Sequence, residues 1–172
     1  MILAKKEILS ELEKGSLKIT PLNKSNVGAC SVDLTLGKSF RVLKGGKRVL
    51  VVSENVNELM KETELIELNE DESIKLKPNK LILGITEETI KMPNYLCGLI
   101  EGRSRFARIG LMVHISSSLI QPGVENKQVL EIVNLSKNTL ILRPGLKICQ
   151  VVFERLSSPA LHHGVFAKQK KP

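Results

Sequence analysis

The stretch EGRSRFARIGLMVH, residues 101–114, concentrates arginine and serine immediately before an apolar segment. The polar members of this cluster are Arg103, Ser104, Arg105 and Arg108. Guanidinium groups offer paired N–H donors that match phosphate oxygens, and the preceding Gly102 lets the backbone of a turn approach an anion. The pattern therefore predicts a turn that binds a polyphosphate. The alternative is a solvated loop between two strands, where most runs of charge are found.

A second candidate group is the single carboxylate of QVLEIVN, residues 128–134. Its strand neighbours on both faces are aliphatic: Val129, Leu130, Ile132 and Val133. Apolar residues on both faces indicate a buried strand, and a buried carboxylate needs a partner or a raised pKa. Glu131 is therefore a candidate general base, with Arg108 as its candidate partner. The alternative is a purely structural Glu–Arg ion pair.

The elements that must position these groups are mostly short strands. Short β-rich runs alternate with Gly, Pro and Asn along most of the chain. The runs are SVDLTLG, FRVL, VLVV, LIEL, IKLKPNKLILGIT, YLCGLIE, IGLMVHI, QVLEIVN, TLILRPG and ICQVVFE. In the first of them, Val32, Leu34 and Leu36 alternate and predict one buried face. Many short strands predict an all-β protein, a distorted barrel or jelly roll.

Other segments are predicted to be helix, turn or surface excursion. In residues 4–14, Ile8, Leu9 and Leu12 share one helical face, which predicts a short N-terminal helix. The remaining predictions are a turn at GGKR, residues 45–48, an acidic surface excursion or short helix within residues 53–73, and a loose basic tail at the C-terminus.

Length and composition indicate one domain. A chain of 172 residues that is 42% hydrophobic can build one core. Residues 1–172 are therefore predicted to form a single domain, with a helix in 1–15 and a basic tail in 160–172. The net charge of +8 will attract polyanions, but aromatic residues make up only 3% of the chain. Without aromatic groups on which bases could stack, nucleic acid is not an expected partner.

The chain is expected to be cytoplasmic. It has no apolar run long enough for a membrane span, and its charged opening residues do not fit a signal peptide, so no membrane partner is expected. Its three cysteines lie far apart in the sequence, which suits a reducing compartment. The histidines, His114, His162 and His163, do not lie at ligand spacing from them, so no zinc is expected. We expect His114 to be a hydrogen-bonded structural residue.

The run GRSRFARIGLMVH resembles the G-R-S-S-x-x-R-x-G-L-M-V-H signature of the zinc-independent dCTP deaminases, relatives of the trimeric dUTP hydrolases. Further segments are similar to that family in the family's order: GACSVDLTLGKSFRVL, ISSSLIQPG, VLEIVN and LRPGLKICQVVFERLSSPA. A shared order of spaced motifs is more specific than any one motif. The resemblance implies a dUTPase-like β-clip, a distorted barrel that assembles as a homotrimer with nucleotide sites at the subunit interfaces.

The resemblance also implies residue roles. Ser104, Arg108 and Glu131 match the family's catalytic group. Glu131 would take a proton from the water that attacks C4 of cytosine and deliver it to departing ammonia, while Ser104 and Arg108 hold the water and the carboxylate. The residues implied to bind dCTP or dUTP are Arg103, Ser104, Arg105, Phe106, Ala107, Arg108, Gln121, Val129, Leu130, Glu131 and Lys168. Mg²⁺ would arrive on the triphosphate.

The chain departs from the family pattern at several positions. Arg105 replaces the signature's second serine, Leu119 replaces a frequent arginine, and the tail lacks the family's tyrosine. Gln121 stands where both enzyme types carry an aspartate. In the hydrolases that aspartate activates the attacking water, and an amide cannot accept the proton. The sequence therefore favours a dCTP deaminase. The alternatives are a dUTP diphosphatase, alone or combined with deamination, and a nucleotide-binding homologue without turnover.

Overall fold

The computed structural model describes residues 1–46, 49–52, 54–164 and 166–172. The helices are α1 (Lys5–Glu13), α2 (Val56–Lys61) and α3 (Ser104–Ala107). The strands are β1 (Lys18–Thr20), β2 (Val32–Thr35), β3 (Ser39–Leu43), β4 (Thr63–Glu67), β5 (Ile74–Leu76), β6 (Leu81–Lys91), β7 (Leu96–Gly102), β8 (Leu111–Val113), β9 (Leu119–Ile120), β10 (Glu125–Asn134), β11 (Leu140–Leu142) and β12 (Lys147–Arg155).

The strands form two main sheets and one small ribbon. The larger sheet has the order β4-β3-β6-β10-β8, with β1 also pairing β6. The second sheet has the order β2-β12-β7-β9, and β11 pairs β5. The described pairs between strands are antiparallel, and an isolated bridge from Leu36 to Thr86 connects the end of β2 with β6. The prediction of a mostly β protein with a distorted barrel is confirmed.

The core lies between the inner faces of the sheets. Phe40 and Leu130 from the larger sheet and Leu34 and Phe153 from the second sheet are all fully buried. The N-terminal helix is also confirmed, and its Ile8 is fully buried against this core. Alternation of apolar and polar residues along each strand therefore decides which side chains build the core.

Helix α1 is fixed to the second sheet through Glu11. The Tyr95 hydroxyl donates to Glu11 Oε2 at 2.7 Å, and Arg155 Nη2 donates to Oε1 at 3.1 Å. The Ser16 hydroxyl also donates to Oε2 at 2.7 Å. Burial raises the pKa of Glu11, but these hydrogen bonds outweigh it and hold the pKa below its ordinary value.

One predicted strand is wrong. VLVV, residues 49–52, forms no strand, and Val49, Val51 and Val52 are all more than four-fifths exposed. High β-propensity is not sufficient to form a strand, because a strand also needs a partner for its backbone hydrogen bonds. The neighbouring strand β3 already pairs β4 on one side and β6 on the other. The predicted turn at GGKR includes Lys47 and Arg48, which lie outside the described residues.

The C-terminal tail is not loose. The amide of Glu125 donates to Ala167 O at 2.9 Å, and the amide of Lys127 donates to Gln169 O at 3.0 Å. Asn126 Nδ2 also donates to Phe166 O at 2.8 Å. The tail can bind here because β8 pairs only with the last residues of β10, which leaves the first half of that strand with a free edge.

Two further findings concern the whole described chain. Among its residues, no helix is long and apolar enough to cross a membrane. Within the same ranges, no group of three or more His, Cys, Asp and Glu side chains is close enough to hold a metal ion. The cysteines are free thiols, with Cys30 exposed and Cys97 and Cys149 buried.

Candidate active site

Glu131 lies on β10, and its side chain points to the face of the strand that is only partly covered. Leu130 and Ile132 point into the core and are fully buried, whereas Glu131 is only partly buried. The expectation that aliphatic neighbours enclose Glu131 on both faces is therefore wrong for its own face. The larger sheet is covered on one side, so the alternation of β10 leaves Glu131 within reach of water.

The carboxylate of Glu131 accepts hydrogen bonds from the segment that follows β8. Its Oε2 accepts from the amides of Ser116 at 2.8 Å and Ile115 at 3.1 Å, and its Oε1 accepts from the Ser116 hydroxyl at 2.7 Å. Burial raises the pKa of Glu131, but these hydrogen bonds and the nearby His114 outweigh it and hold the pKa below its ordinary value. Glu131 is therefore ionised at neutral pH and can accept a proton.

His114 forms the turn that presents these donors. Its φ of 59° is a left-handed conformation that L-residues other than glycine rarely adopt, and it reverses the chain directly after β8. The backbone amide of His114 donates to Glu131 O at 2.7 Å. His114 Nε2 lies 2.6 Å from Ser117 O and must donate to it, because a carbonyl only accepts. His114 is hydrogen-bonded as expected, but it lines a cavity.

That cavity has a volume of about 310 Å³, and its lining includes Val129, two residues before Glu131 on β10, and His114, whose amide bonds Glu131 O, but not Glu131 itself. Its walls include Gln121 and Val129 as well as His162, Phe166 and Gln169 from the tail. The tail therefore closes one side of the cavity, which the expectation of a loose tail did not predict. Gln121 and Val129, both predicted to bind the nucleotide, lie together in this wall.

The backbone of Val129, whose register partner on β6 is Ile85, directs its N–H and C=O to the cavity side of β10. Alternate residues of a strand direct their N–H and C=O groups to the same side. Glu125 and Lys127 bond the tail on that side, and Glu131 bonds His114 there. Val129 lies between these two groups of contacts, so its N–H and C=O point into the gap between tail and turn. This places one donor and one acceptor side by side in the wall of the cavity.

Arg103 is engaged within the chain, whereas the other members of the arginine cluster are exposed. Ser104, Arg105 and Arg108 are exposed on and next to α3, and within the described residues their side chains make no hydrogen bond or ion pair. Phe106 packs against the core. Arg103 instead forms an ion pair with Asp33, with 3.2 Å between Nη2 and Oδ2.

Arg108 is not the partner of Glu131 within one chain. The amide of Leu135, four residues after Glu131, donates to Gly110 O at 2.8 Å. The residues that follow α3 therefore contact the chain four residues beyond Glu131. Four strand residues span about 13 Å. The described chain contains no hydrogen bond between Glu131 and either Ser104 or Arg108. The groups that replace Arg108 as partners, Ile115 and Ser116, were missed by the sequence reasoning.

The remaining predicted binding residues are scattered. Leu130 has a fully buried side chain, and its backbone pairs with Gly84 of β6. Lys168 lines a second cavity of about 580 Å³ together with His163 and Lys91, on the other side of the tail. One chain therefore brings together Glu131, Val129 and Gln121 but not the arginine cluster.

The pKa of Glu131 leads to a test in solution. A general base is active when ionised, so activity should fall only as pH drops through a pKa that lies below 4.5. Ser116→Ala removes one donor to the carboxylate, raises this pKa and should shift the acid limb of kcat/KM to higher pH. The profile of Ser118→Ala, in which the altered hydroxyl is not a donor to Glu131, serves as control. An unshifted limb in Ser116→Ala contradicts the assignment of Glu131 as the base.

Comparison with known proteins identifies the family of the chain. The family described as dCTP deaminase-like matches residues 2–156. A protein of Dictyoglomus thermophilum named "dCTP deaminase, dUMP-forming" is 37% identical over 93% of this chain and 83% of its own length. A protein of Pectobacterium atrosepticum named "dCTP deaminase" is 37% identical over 93% of this chain and 86% of its own length.

A solved structure shows the same fold. The 2'-deoxycytidine 5'-triphosphate deaminase from Agrobacterium tumefaciens superposes with a TM-score of 0.70 at 18% identity, over 91% of this chain. This chain spans 49% of that protein's length. The fold, the family match over residues 2–156 and the two relatives agree with the signature around Ser104 and the strand of Glu131. The chain belongs to the dCTP deaminase-like family.

Proposed function

We propose that this protein catalyses the hydrolytic deamination of dCTP to dUTP and ammonia. The observation that carries the proposal is the ionised carboxylate of Glu131, which Ile115 and Ser116 hold by hydrogen bonds two residues along β10 from Val129, a wall residue of a cavity of a size that admits a pyrimidine ring. Membership of the dCTP deaminase-like family supports the same reaction.

The cavity wall offers the groups that cytosine recognition needs. The edge of cytosine presents an amino donor beside a ring-nitrogen acceptor. The C=O and N–H of Val129 on the cavity side of β10 are complementary to that pair. A backbone pair of this kind is fixed by the ladder on either side of it, so it binds the base without losing side-chain entropy. We assign base binding to Val129, which lines the cavity, and not to Leu130, which does not line it and whose side chain is fully buried.

The reaction then follows from the position of Glu131. The carboxylate removes a proton from a water molecule, whose oxygen forms a bond to C4 of the ring. The same proton passes to the amino nitrogen, the C4–N bond breaks and ammonia leaves. The second proton of the water then moves from the C4 oxygen to the ring nitrogen N3, which gives the carbonyl of uracil. The three donors from Ile115 and Ser116 hold the carboxylate in place during both transfers.

Ser104 and Arg108 enter the site from a neighbouring subunit of a homotrimer. Their side chains are exposed and unpaired in the described chain, and they lie far along the sheet from Glu131. An interface that placed α3 of one subunit against β10 of the next would complete the catalytic group. The exposed Arg105 and Arg108 would bind the triphosphate, which would bring its own Mg²⁺.

The product is proposed to be dUTP because of Gln121. The relatives bear names of both kinds, with and without dUMP formation. Gln121 lines the cavity as an amide, and an amide cannot activate the water that would attack the phosphate chain.

Gln121→Asp should raise release of pyrophosphate from dUTP by about tenfold or more. Gln121→Glu is the matched control, since its longer carboxylate is misplaced. Strong hydrolysis of dUTP by the unaltered protein contradicts this assignment.

Three assays separate the candidate functions. Ammonia from dCTP, with dUTP accumulating, supports the proposal. Pyrophosphate from dUTP identifies a diphosphatase, and both together identify a combined enzyme. Protection from heat by either nucleotide without any product identifies a nucleotide-binding homologue.

We place the protein in the cytosol, because its free cysteines suit a reducing compartment.

A further inference from the structure

Arg103 differs from the other arginines of its cluster because its side chain is engaged within the chain. Its Nη2 lies 3.2 Å from Asp33 Oδ2, and its Nη1 donates to Lys147 O at 3.0 Å. The side chains of Arg103 and Asp33 are only 16% and 22% exposed. Two of the guanidinium nitrogens are therefore occupied by an acid and a carbonyl, and the positive charge is already balanced.

The contacts of Arg103 connect three neighbouring strands of the second sheet, β2, β12 and β7. Strand β12 lies between β2 and β7, and its Cys149 is opposite both Leu34 and Gly102. The register of β12 on β2 shifts between Lys147 and Cys149. Arg103 follows β7 directly, crosses β12 at this irregularity and reaches Asp33 on β2.

The same residue begins helix α3. The carbonyl of Arg103 accepts from the amides of Phe106 at 2.9 Å and Ala107 at 3.2 Å. The carbonyl of Ser104 accepts from the amide of Arg108 at 3.2 Å. A helix of this length has little stability of its own. The side chain of Arg103 therefore fixes the backbone from which Ser104 and Arg108 project. Within α3 itself, Phe106 packs inward against the core.

We propose that the Arg103–Asp33 ion pair, with the Lys147 carbonyl, is a positioning device for α3 that sets the directions of Ser104 and Arg108. The kinetic test of this proposal rests on the proposed function, because it measures the turnover of dCTP. The guanidinium of Arg103 holds the turn, while phosphate binding is left to the exposed side chains of Arg105 and Arg108. Arg103 would contribute to the nucleotide only through its backbone.

Two single variants and their combination test this role. Asp33→Asn keeps the shape of the acid, and Arg103→Gln removes the guanidinium. If the pair positions α3, both variants lower kcat for dCTP by about tenfold, because small misplacement of a reacting group is costly, and both change KM by less than about threefold. The double variant should lose no more than the worse single variant, since both remove the same interaction. Glu70→Gln, which breaks the exposed Lys38–Glu70 pair, is the matched control and should have unaltered kinetics.

Amide hydrogen exchange provides a readout that does not need turnover. In the protein without nucleotide, the amides of residues 106–110 should exchange faster in Asp33→Asn and in Arg103→Gln, while those of β6 and β10 stay protected. If either variant loosens the whole barrel, Arg103→Lys, which keeps the charge, takes its place and should show an intermediate effect. If the wild type did not turn over dCTP, the proposed function would be wrong. Hydrogen exchange would still decide whether Arg103 positions α3.

The opposite result is equally well defined. If Arg103→Gln raises KM for dCTP more than about tenfold at normal kcat, while Asp33→Asn is unaltered in kinetics and exchange, Arg103 is a phosphate ligand. The positioning role is then wrong.

Discussion

Glu131→Gln is expected to reduce the deamination of dCTP by at least about 10²-fold, because an amide cannot take a proton from water. The substitution should leave the fold intact. The amide oxygen can accept from the backbone of Ile115 and Ser116, and the amide nitrogen can donate to the Ser116 hydroxyl after it rotates. Ammonia release at saturating dCTP measures the loss.

The control lies on the same strand. Glu125→Gln removes a carboxylate of β10 that pairs with Lys91 at 3.3 Å, at the end remote from Glu131, and should leave turnover unaltered. Nucleotide binding, measured by calorimetry with dCTP, should persist in Glu131→Gln. Turnover within about threefold of the wild type would exclude Glu131 as the base, because loss of a general base costs at least about 10²-fold.

Mixing two inactive variants should restore activity. In a trimer whose sites combine Glu131 of one subunit with Arg108 of its neighbour, each mixed assembly of Glu131→Gln and Arg108→Met chains holds one intact site. Random co-assembly of equal amounts should therefore recover roughly a quarter of the wild-type rate in a closed three-fold ring. Each variant alone should be at least about 10²-fold slower. The two chains are best co-expressed and the purified mixture assayed for ammonia.

A second mixture shows whether the recovery has the proposed origin. Ser104→Ala and Arg108→Met alter the same helix, α3, so no assembly of these two chains contains an intact site, and no activity should return. If Glu131 met Ser104 and Arg108 within one chain, neither mixture would recover. The site would then lie inside a single subunit, against the separation along β10 described above.

The type of fold follows from local pattern. Alternation of Val32, Leu34 and Leu36 predicts a strand with one buried face, and the structure confirms it. The apolar run around Leu130 predicts a strand buried on both faces, and the structure confirms the strand but buries only one of its faces fully. The helical period of Ile8, Leu9 and Leu12 is equally local. VLVV forms no strand for a non-local reason, because a strand needs a pairing partner and local propensity carries no information about which segment supplies one.

The residue types of the candidate site could also be predicted. Glu131 is identified by its position among aliphatic strand residues, and Ser104 and Arg108 by the spacing of the signature. The partner assigned to Glu131 was wrong within one chain. Arg108 is near in the sequence pattern, but the hydrogen bonds to the carboxylate come from Ile115 and Ser116 after the turn at His114.

By itself, the sequence determined the β architecture, and it predicted Glu131 as the base and the arginine cluster as the group that binds a phosphate chain. Only the tertiary structure decided which partners those groups have: Ser116 for Glu131, Asp33 for Arg103, and the first half of β10 for the tail. The physical reason is that side-chain alternation is a property of each strand, whereas strand register and free edges depend on segments distant in the chain.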